Sequence, residues 1–202
     1  SASFFGMSVL YSANYALTGV TAQTVRSHDL SGGIGRWQFI ETAAGVYSGF
    51  PNLDPWVNTN YAAGRDIVFT LFATPQFYSA RPDEMNAYSD HGTGPVYNRG
   101  IAAEPTDMAK WSAFCTAVAT RYLGKIKYYE VWNEPNYHND GTGPGANTDC
   151  FFTGTWAILS QMVRLANQAI KAVDPTAKII CPPFQGWTAT TGLSDTYFTG
   201  MM

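Results

Sequence analysis

Lys127-Tyr128-Tyr129-Glu130-Val131-Trp132-Asn133-Glu134-Pro135-Asn136 is the stretch on which the reading of this chain turns. A short run of aromatic and β-branched residues ends in an amide, a carboxyl and a proline. Residues of the first kind suit a pleated, buried strand. Pro135 has no N–H and a fixed φ, so the ladder stops there. Glu134 therefore stands at the mouth of a strand, a place from which a carboxyl can donate a proton into a pocket. Alternation along the strand puts Tyr128, Glu130, Trp132 and Glu134 on one face, with Glu130 the deeper carboxylate. A carboxylate at depth needs a cation or hydrogen-bond donors, and Arg26 is the candidate partner, in a structural contact.

Outward from this stretch, apolar runs alternate with helical patterns, which predicts βα units and a parallel sheet. Phe4 to Leu10, Thr24 to His28, Asp66 to Ala73, Ile126 to Trp132 and Ala177 to Cys181 read as five strands. The third is apolar enough to be buried on both faces. Asp54-Pro55 reads as an N-cap and first helical residue, with Gly64 closing that helix. A second helix starts at Thr106, and its apolar residues Met108, Trp111, Cys115, Val118 and Tyr122 recur at steps of three and four before Gly124. A third follows Thr155, with Trp156, Leu159, Val163, Ala166, Ile170 and Val173 on one face and Asp174-Pro175 at its end. Long loops, Thr74 to Pro105 and Pro135 to Gly154, leave the carboxyl ends of the third and fourth strands, where α/β folds place their sites.

The chain has 202 residues, read as one domain over 1–202, with 46% hydrophobic, 15% aromatic and only 13% charged residues. An average domain carries about 25% charged residues. The net charge of −3 comes without a Lys/Arg cluster, so nucleic acid is not an expected partner. No apolar run approaches the roughly 20 residues of a membrane span. The low charge and the aromatic richness suit a protein that handles sugars, whose C–H faces stack on rings, but composition alone favours the competing reading of an aromatic-rich core. The 3 cysteines allow at most one internal disulfide. Cys115 reads as a buried small hydrophobe, while Cys150 in a loop and Cys181 at a strand end are open to pairing. The histidines show no metal-ligand spacing, so neither a metal nor another cofactor is expected. There is no Gly-x-Ser-x-Gly elbow and no Gly-rich phosphate loop.

Trp132-Asn133-Glu134-Pro135 after a Tyr/Val-rich strand resembles the acid/base motif of the retaining clan A glycoside hydrolases, which are built on (β/α)8 barrels. The likeness runs along nearly the whole chain. Phe5-Gly6-Met7 resembles the first strand of members related to families 39 and 5. Val25-Arg26-Ser27-His28-Asp29, followed by Trp37, resembles the second, whose Arg points into the barrel mouth. Glu41-Thr42-Ala43-Ala44-Gly45-Val46-Tyr47 resembles the Glu-x-x-x-Gly-x-Tyr run after it. Phe72-Ala73-Thr74-Pro75-Gln76-Phe77 resembles the end of the third. Asp174-Pro175 before Ile179-Ile180-Cys181-Pro182 resembles the approach to the fifth.

The resemblance implies an α/β fold of (β/α)8 TIM-barrel type, of which about five βα units are present. It implies that Glu134 is the general acid/base and that Asn133 hydrogen-bonds the hydroxyl beside the anomeric carbon. The family's nucleophile is a Glu at the end of strand seven. No counterpart exists here, because the last Glu is Glu134 and the later carboxylates are Asp140, Asp149, Asp174 and Asp195. The expectation is thus the N-terminal half to two-thirds of such an enzyme. The function implied is hydrolysis of O-glycosidic bonds in a β-linked poly- or oligosaccharide, by a secreted protein. The alternatives are a carbohydrate-binding fragment that lacks the nucleophile and a half-barrel that closes by self-association across an open sheet edge. Arg26 has two readings, a structural ion pair and a sugar contact. Trp37, Phe77 and Trp187 are candidate stacking surfaces, and for both tryptophans a place in the core is the competing reading. His28 reads as a structural hydrogen-bonded residue, and His91 and His138 as solvated loop residues.

Overall fold

The structure, a computed structural model, describes residues 6–8, 23–28, 30–86, 99–135 and 151–183. Five strands, β1 (Gly6–Ser8), β2 (Thr24–Arg26), β3 (Asp66–Leu71), β4 (Tyr128–Val131) and β5 (Lys178–Ile180), form one parallel sheet in sequence order. The helices between them are α1 (Trp37–Ile40), α2 (Phe50–Ala62), α3 (Met108–Arg121) and α4 (Trp156–Val173). Each new strand is added beside the last and in the same direction. That is the winding of a (β/α) barrel. A doubly wound sheet would reverse its strand order at a switch point.

The register sorts the side chains into two faces. Arg26 is level with Val68, and Val68 with Tyr128. Two residues further on, Thr70 is level with Glu130, and Glu130 with Ile180. These residues share one face, because side chains on a strand alternate. Val25, Ile67, Phe69, Leu71, Tyr129 and Val131 occupy the other and are buried. They close with Trp111, Phe114 and Val118 of α3 and Leu159, Met162 and Ile170 of α4 into one core. Each large side chain buried there contributes about 1.5–3 kcal/mol. The Trp111 indole N–H also donates to the Met162 carbonyl at 2.8 Å, which joins α3 to α4.

The helix ends show which local signals act. Thr155 caps α4 as expected, accepting from the Ile158 N–H, and Asp174 closes it. The start of α3 lies one residue later than expected. Asp107 is the cap, accepting from the Ala109 N–H at 2.8 Å. Thr106 is held instead by its N–H on the Tyr78 carbonyl at 2.8 Å. The reading of Asp54-Pro55 as the start of α2 is corrected. The helix begins at Phe50 with a proline already in its first turn, and Pro55 lies inside it. Asp54 is occupied elsewhere: Arg121 and the Tyr122 hydroxyl both donate to its carboxylate. Gly64, at φ 70°, sits just past the end of α2 as its sequence position predicts.

The described parts of the loop after β3 are laced to themselves. The N–H groups of Thr74, Ala80 and Gly100 donate to the carbonyls of Ile101, Glu104 and Glu84 at 3.1, 2.9 and 2.9 Å. No described helix is long and apolar enough to cross a membrane.

Hydrogen bonds from Arg121 hold the Asp54 carboxyl below its ordinary range, against the opposing effect of burial. A carboxylate depressed in the folded state stabilises it fully above the unfolded pKa, about 3.9. That contribution is lost as pH falls through the lower, folded value. Asp54→Asn should therefore lower the unfolding free energy at pH 7 by about 1 kcal/mol, the upper end for an ion pair open to solvent. The gap should narrow steadily once the pH drops below about 4, which urea unfolding at pH 7 and pH 3 checks.

Candidate active site

The sheet brings its polar residues together toward the carboxyl ends of β2, β3 and β4. Arg26 ends β2, and its Nε donates to Glu130 Oε2 at 2.8 Å. Its Nη2 lies 2.6 Å from the same oxygen. Thr70 of β3 donates its hydroxyl to that oxygen at 2.9 Å. The contact expected between Arg26 and Glu130 is thus present, and Glu130 is buried. Arg26 Nη2 also donates to Asn133 Oδ1 at 2.6 Å. Asn133 is buried in turn, with its Oδ1 taken by the guanidinium.

The backbone beyond β4 departs from the expected strand. Alternation does not continue through Trp132 to Glu134, because Trp132 has φ 66° and Glu134 φ 42°. Both are left-handed conformations, and in non-glycine residues each costs about 1–3 kcal/mol. Even so, the Trp132 N–H reaches the Leu71 carbonyl and the Glu134 N–H the Pro183 carbonyl, each at 2.9 Å. The turn redirects the chain at the strand end and leaves the Glu134 side chain half-buried.

The aromatic candidates separate. Trp37 is corrected: it is 0% exposed, so no ring face is open to a sugar. It stacks on Phe114 at 4.9 Å, and its indole N–H donates to Glu41 Oε2 at 2.6 Å. Phe77 is 48% exposed and meets Tyr78 edge-on at 4.6 Å. Trp187, His91, His138 and Cys150 lie outside the described residues. His28 packs on Phe72 at 4.9 Å. Cys115 is fully buried, and burial pushes its thiol well above the ordinary range, which is the state of an inert core residue. Among the described residues no group of three or more His, Cys, Asp or Glu is placed to hold a metal ion.

Glu41 is a second buried carboxylate. It accepts from Trp37, from the Tyr78 hydroxyl at 2.9 Å and from the Gly45 N–H at 2.8 Å. Burial and then the hydrogen bond to Glu41 raise the Tyr78 hydroxyl above its usual range. The spacing of Glu41, Gly45 and Tyr47 acquires a physical reason here. Gly45, at φ 75°, lets the chain turn so that its own N–H closes on the carboxylate.

Thr70 and the acidic pair Glu84 and Glu104 escaped the sequence reading. Thr70 left a signal, a hydroxyl in an apolar run that aligns with Glu130 across the sheet. Glu84 and Glu104 left none, since their partners are fixed only by the loop fold.

No protein-family model and no curated protein sequence matches this chain. Solved structures do resemble it. A glucosidase from Croceicoccus marinus is 18% identical and superposes with a TM-score of 0.54 over 81% of this chain and 31% of its own. A family 39 glycoside hydrolase from the gut symbiont Bacteroides cellulosilyticus WH2 is 18% identical, with a TM-score of 0.47 over 79% of this chain and 26% of its own. A xylanase, XynB, from Paenibacillus barcinonensis is 17% identical, with a TM-score of 0.49 over 78% and 41%. The first of these agrees with the topology: the described residues are part of a (β/α)8 TIM-barrel fold. The chain spans about a third of that glucosidase's length.

Removing the Glu130 charge leaves Arg26 partly buried and without its carboxylate. Glu130→Gln should destabilise the protein by about 3 kcal/mol, the lower end for breaking a buried pair, because Arg26 retains some exposure. Thr70→Val should cost about 1 kcal/mol, the usual net worth of one hydrogen bond. Urea unfolding of both variants measures the two losses.

Proposed function

We propose that this chain carries the acid/base part of a retaining glycoside hydrolase that cleaves β-linked poly- or oligosaccharides. The observation that carries the reading is the Arg26–Asn133 contact. It ties the amide beside Glu134 to β2, which lies beyond β3 from β4, at the carboxyl end of a barrel-type sheet, where such folds place their chemistry. Glu134 is the proton donor to the glycosidic oxygen. Asn133 Nδ2 donates to the hydroxyl next to the anomeric carbon, because Oδ1 is taken by Arg26.

Retention needs a second carboxylate about 5–5.5 Å from the first. Glu130 is not that group, since its Oε2 already accepts from Arg26 and Thr70. The fold shared in part with a glucosidase supports the substrate class. A polymeric substrate and the low charge support a secreted protein. The half-exposed Phe77 favours a second reading, in which this chain holds sugar on its aromatic surface without cleaving it.

Glu134→Gln separates the two. On aryl β-glycosides with poor leaving groups the variant should lose about 10²-fold or more in rate, the usual contribution of a general acid. With good leaving groups the loss should be smaller. An unchanged rate on the poor leaving groups would end the assignment of Glu134. Sugar binding by the parent chain with no hydrolysis would favour the second reading.

A further inference from the structure

Trp132 is wholly buried and stands two residues before Glu134 in a left-handed conformation. Its indole N–H donates to the Phe151 carbonyl at 2.7 Å, and its ring meets Phe152 edge-on at 4.9 Å. The segment it grips belongs to the far end of the β4 loop, and that segment is itself fastened. The Thr153 N–H donates to the Ala102 carbonyl at 2.9 Å. The Thr153 hydroxyl donates to Glu84 Oε2 at 2.6 Å and lies 3.1 Å from Arg81 Nη2. Arg81 in turn forks onto the two oxygens of Glu104 at 3.2 and 2.6 Å and reaches Glu84 at 3.3 Å. Gly154 completes the joint: a Cβ there would lie 2.6 Å from Phe152 Cζ and 2.8 Å from Glu104 Oε2, so this approach needs glycine.

We infer that Trp132, the Phe151–Gly154 segment and the Arg81–Glu84–Glu104 cluster form a positioning device for Asn133 and Glu134. A left-handed Trp persists only where its surroundings over-determine it. Here its own indole donor and a buried ring contact hold it to the Phe151–Phe152 segment, and the ion cluster of the β3 loop fastens that segment in turn at Thr153. The device acts through the backbone: with the indole clamped, the turn at Trp132 holds its angle, and the Glu134 N–H stays on the Pro183 carbonyl. Trp132 and Arg81 are positioning residues with no part in proton transfer. The purpose assigned to them rests on the acid/base reading of Glu134, but the mechanical coupling does not.

Amide hydrogen exchange on the whole 202-residue chain tests the coupling without needing activity. Trp132→Phe keeps a ring and removes the indole donor. The Glu134 amide should then exchange about tenfold faster or more, with amides inside β3 unchanged, the pattern of a local opening. Arg81→Lys, which keeps the charge and loses the fork, should raise the same amide's rate by a smaller factor. Unchanged exchange at Glu134, or an equal rise across the sheet, would overturn the inference. If Trp132→Phe yields no folded protein, Arg81→Lys decides by the same criterion. The hydrolysis comparison with Glu134→Gln judges the acid/base reading separately. In a hydrolytically active chain, Trp132→Phe should lower kcat on poor leaving groups while KM stays unchanged.

Discussion

One carboxylate oxygen, Glu130 Oε2, accepts from Arg26 of β2 and from Thr70 of β3, and so ties three strands together in a fixed register. A slip of any of them by one residue would carry its side chain to the opposite face and leave a buried charge without partners. The attraction within the pair is largely offset by the loss of hydration, so net stability is not its main product. Its effect is on register, and register is what the site requires. The same guanidinium reaches Asn133, so the contact that orders the sheet also orients the amide beside Glu134.

In a chain with only 13% charged residues, Glu130, Glu41 and Asp174 are the buried carboxylates among the described residues, and Asp174 accepts from the N–H and hydroxyl of Thr176 just past α4, while the other two are satisfied in different ways. Glu130 meets a cation. Glu41 meets neutral donors: an indole, a phenol and a backbone N–H. Neutral donors satisfy the lone pairs without bringing a second charge to be desolvated. They also explain why Trp37 belongs to the core. Its ring fills the space beside Phe114 while its N–H answers the carboxylate. A tryptophan that performs both tasks has no face left for a ligand.

All five strands and the helices α2, α3 and α4 were legible because their signals are local, whereas α1, a single turn, had too few residues to show a period. Apolar runs, caps and steps of three and four need no knowledge of the rest of the molecule. The Arg26–Glu130 contact was legible for another reason: a carboxylate deep in a strand must find a cation, and few cations were at hand. Where the sequence misled, a tertiary demand had overridden a local one. Asp54 has the form of an N-cap, but Arg121 and Tyr122 claim its oxygens. Alternation placed Trp132 beside Glu130, yet the chain leaves the β region at Trp132, and no pattern of residue types announces a left-handed tryptophan. The cluster around Arg81 joins residues up to 72 apart, and only the folded loops bring them together.

That departure from the β region is where the fold and the site make different demands. A regular strand end at Trp132 would satisfy the sheet at no conformational cost. It would also send Asn133 and Glu134 to alternate faces in the ordinary way, whereas Asn133 is held on Arg26, which belongs to the Glu130 face. The left-handed turn changes the direction in which these two side chains leave the strand, at about 1–3 kcal/mol for each unusual residue. Nothing in the sheet ladder requires that expense. The compensation comes from outside the ladder, through the Phe151 carbonyl, the Phe152 ring and the ion cluster beneath them. Ala73, just past β3, is left-handed as well, so the strain falls at the carboxyl ends of both β3 and β4, and at β4 it is balanced by contacts that touch neither the Glu130 nor the Glu134 carboxyl.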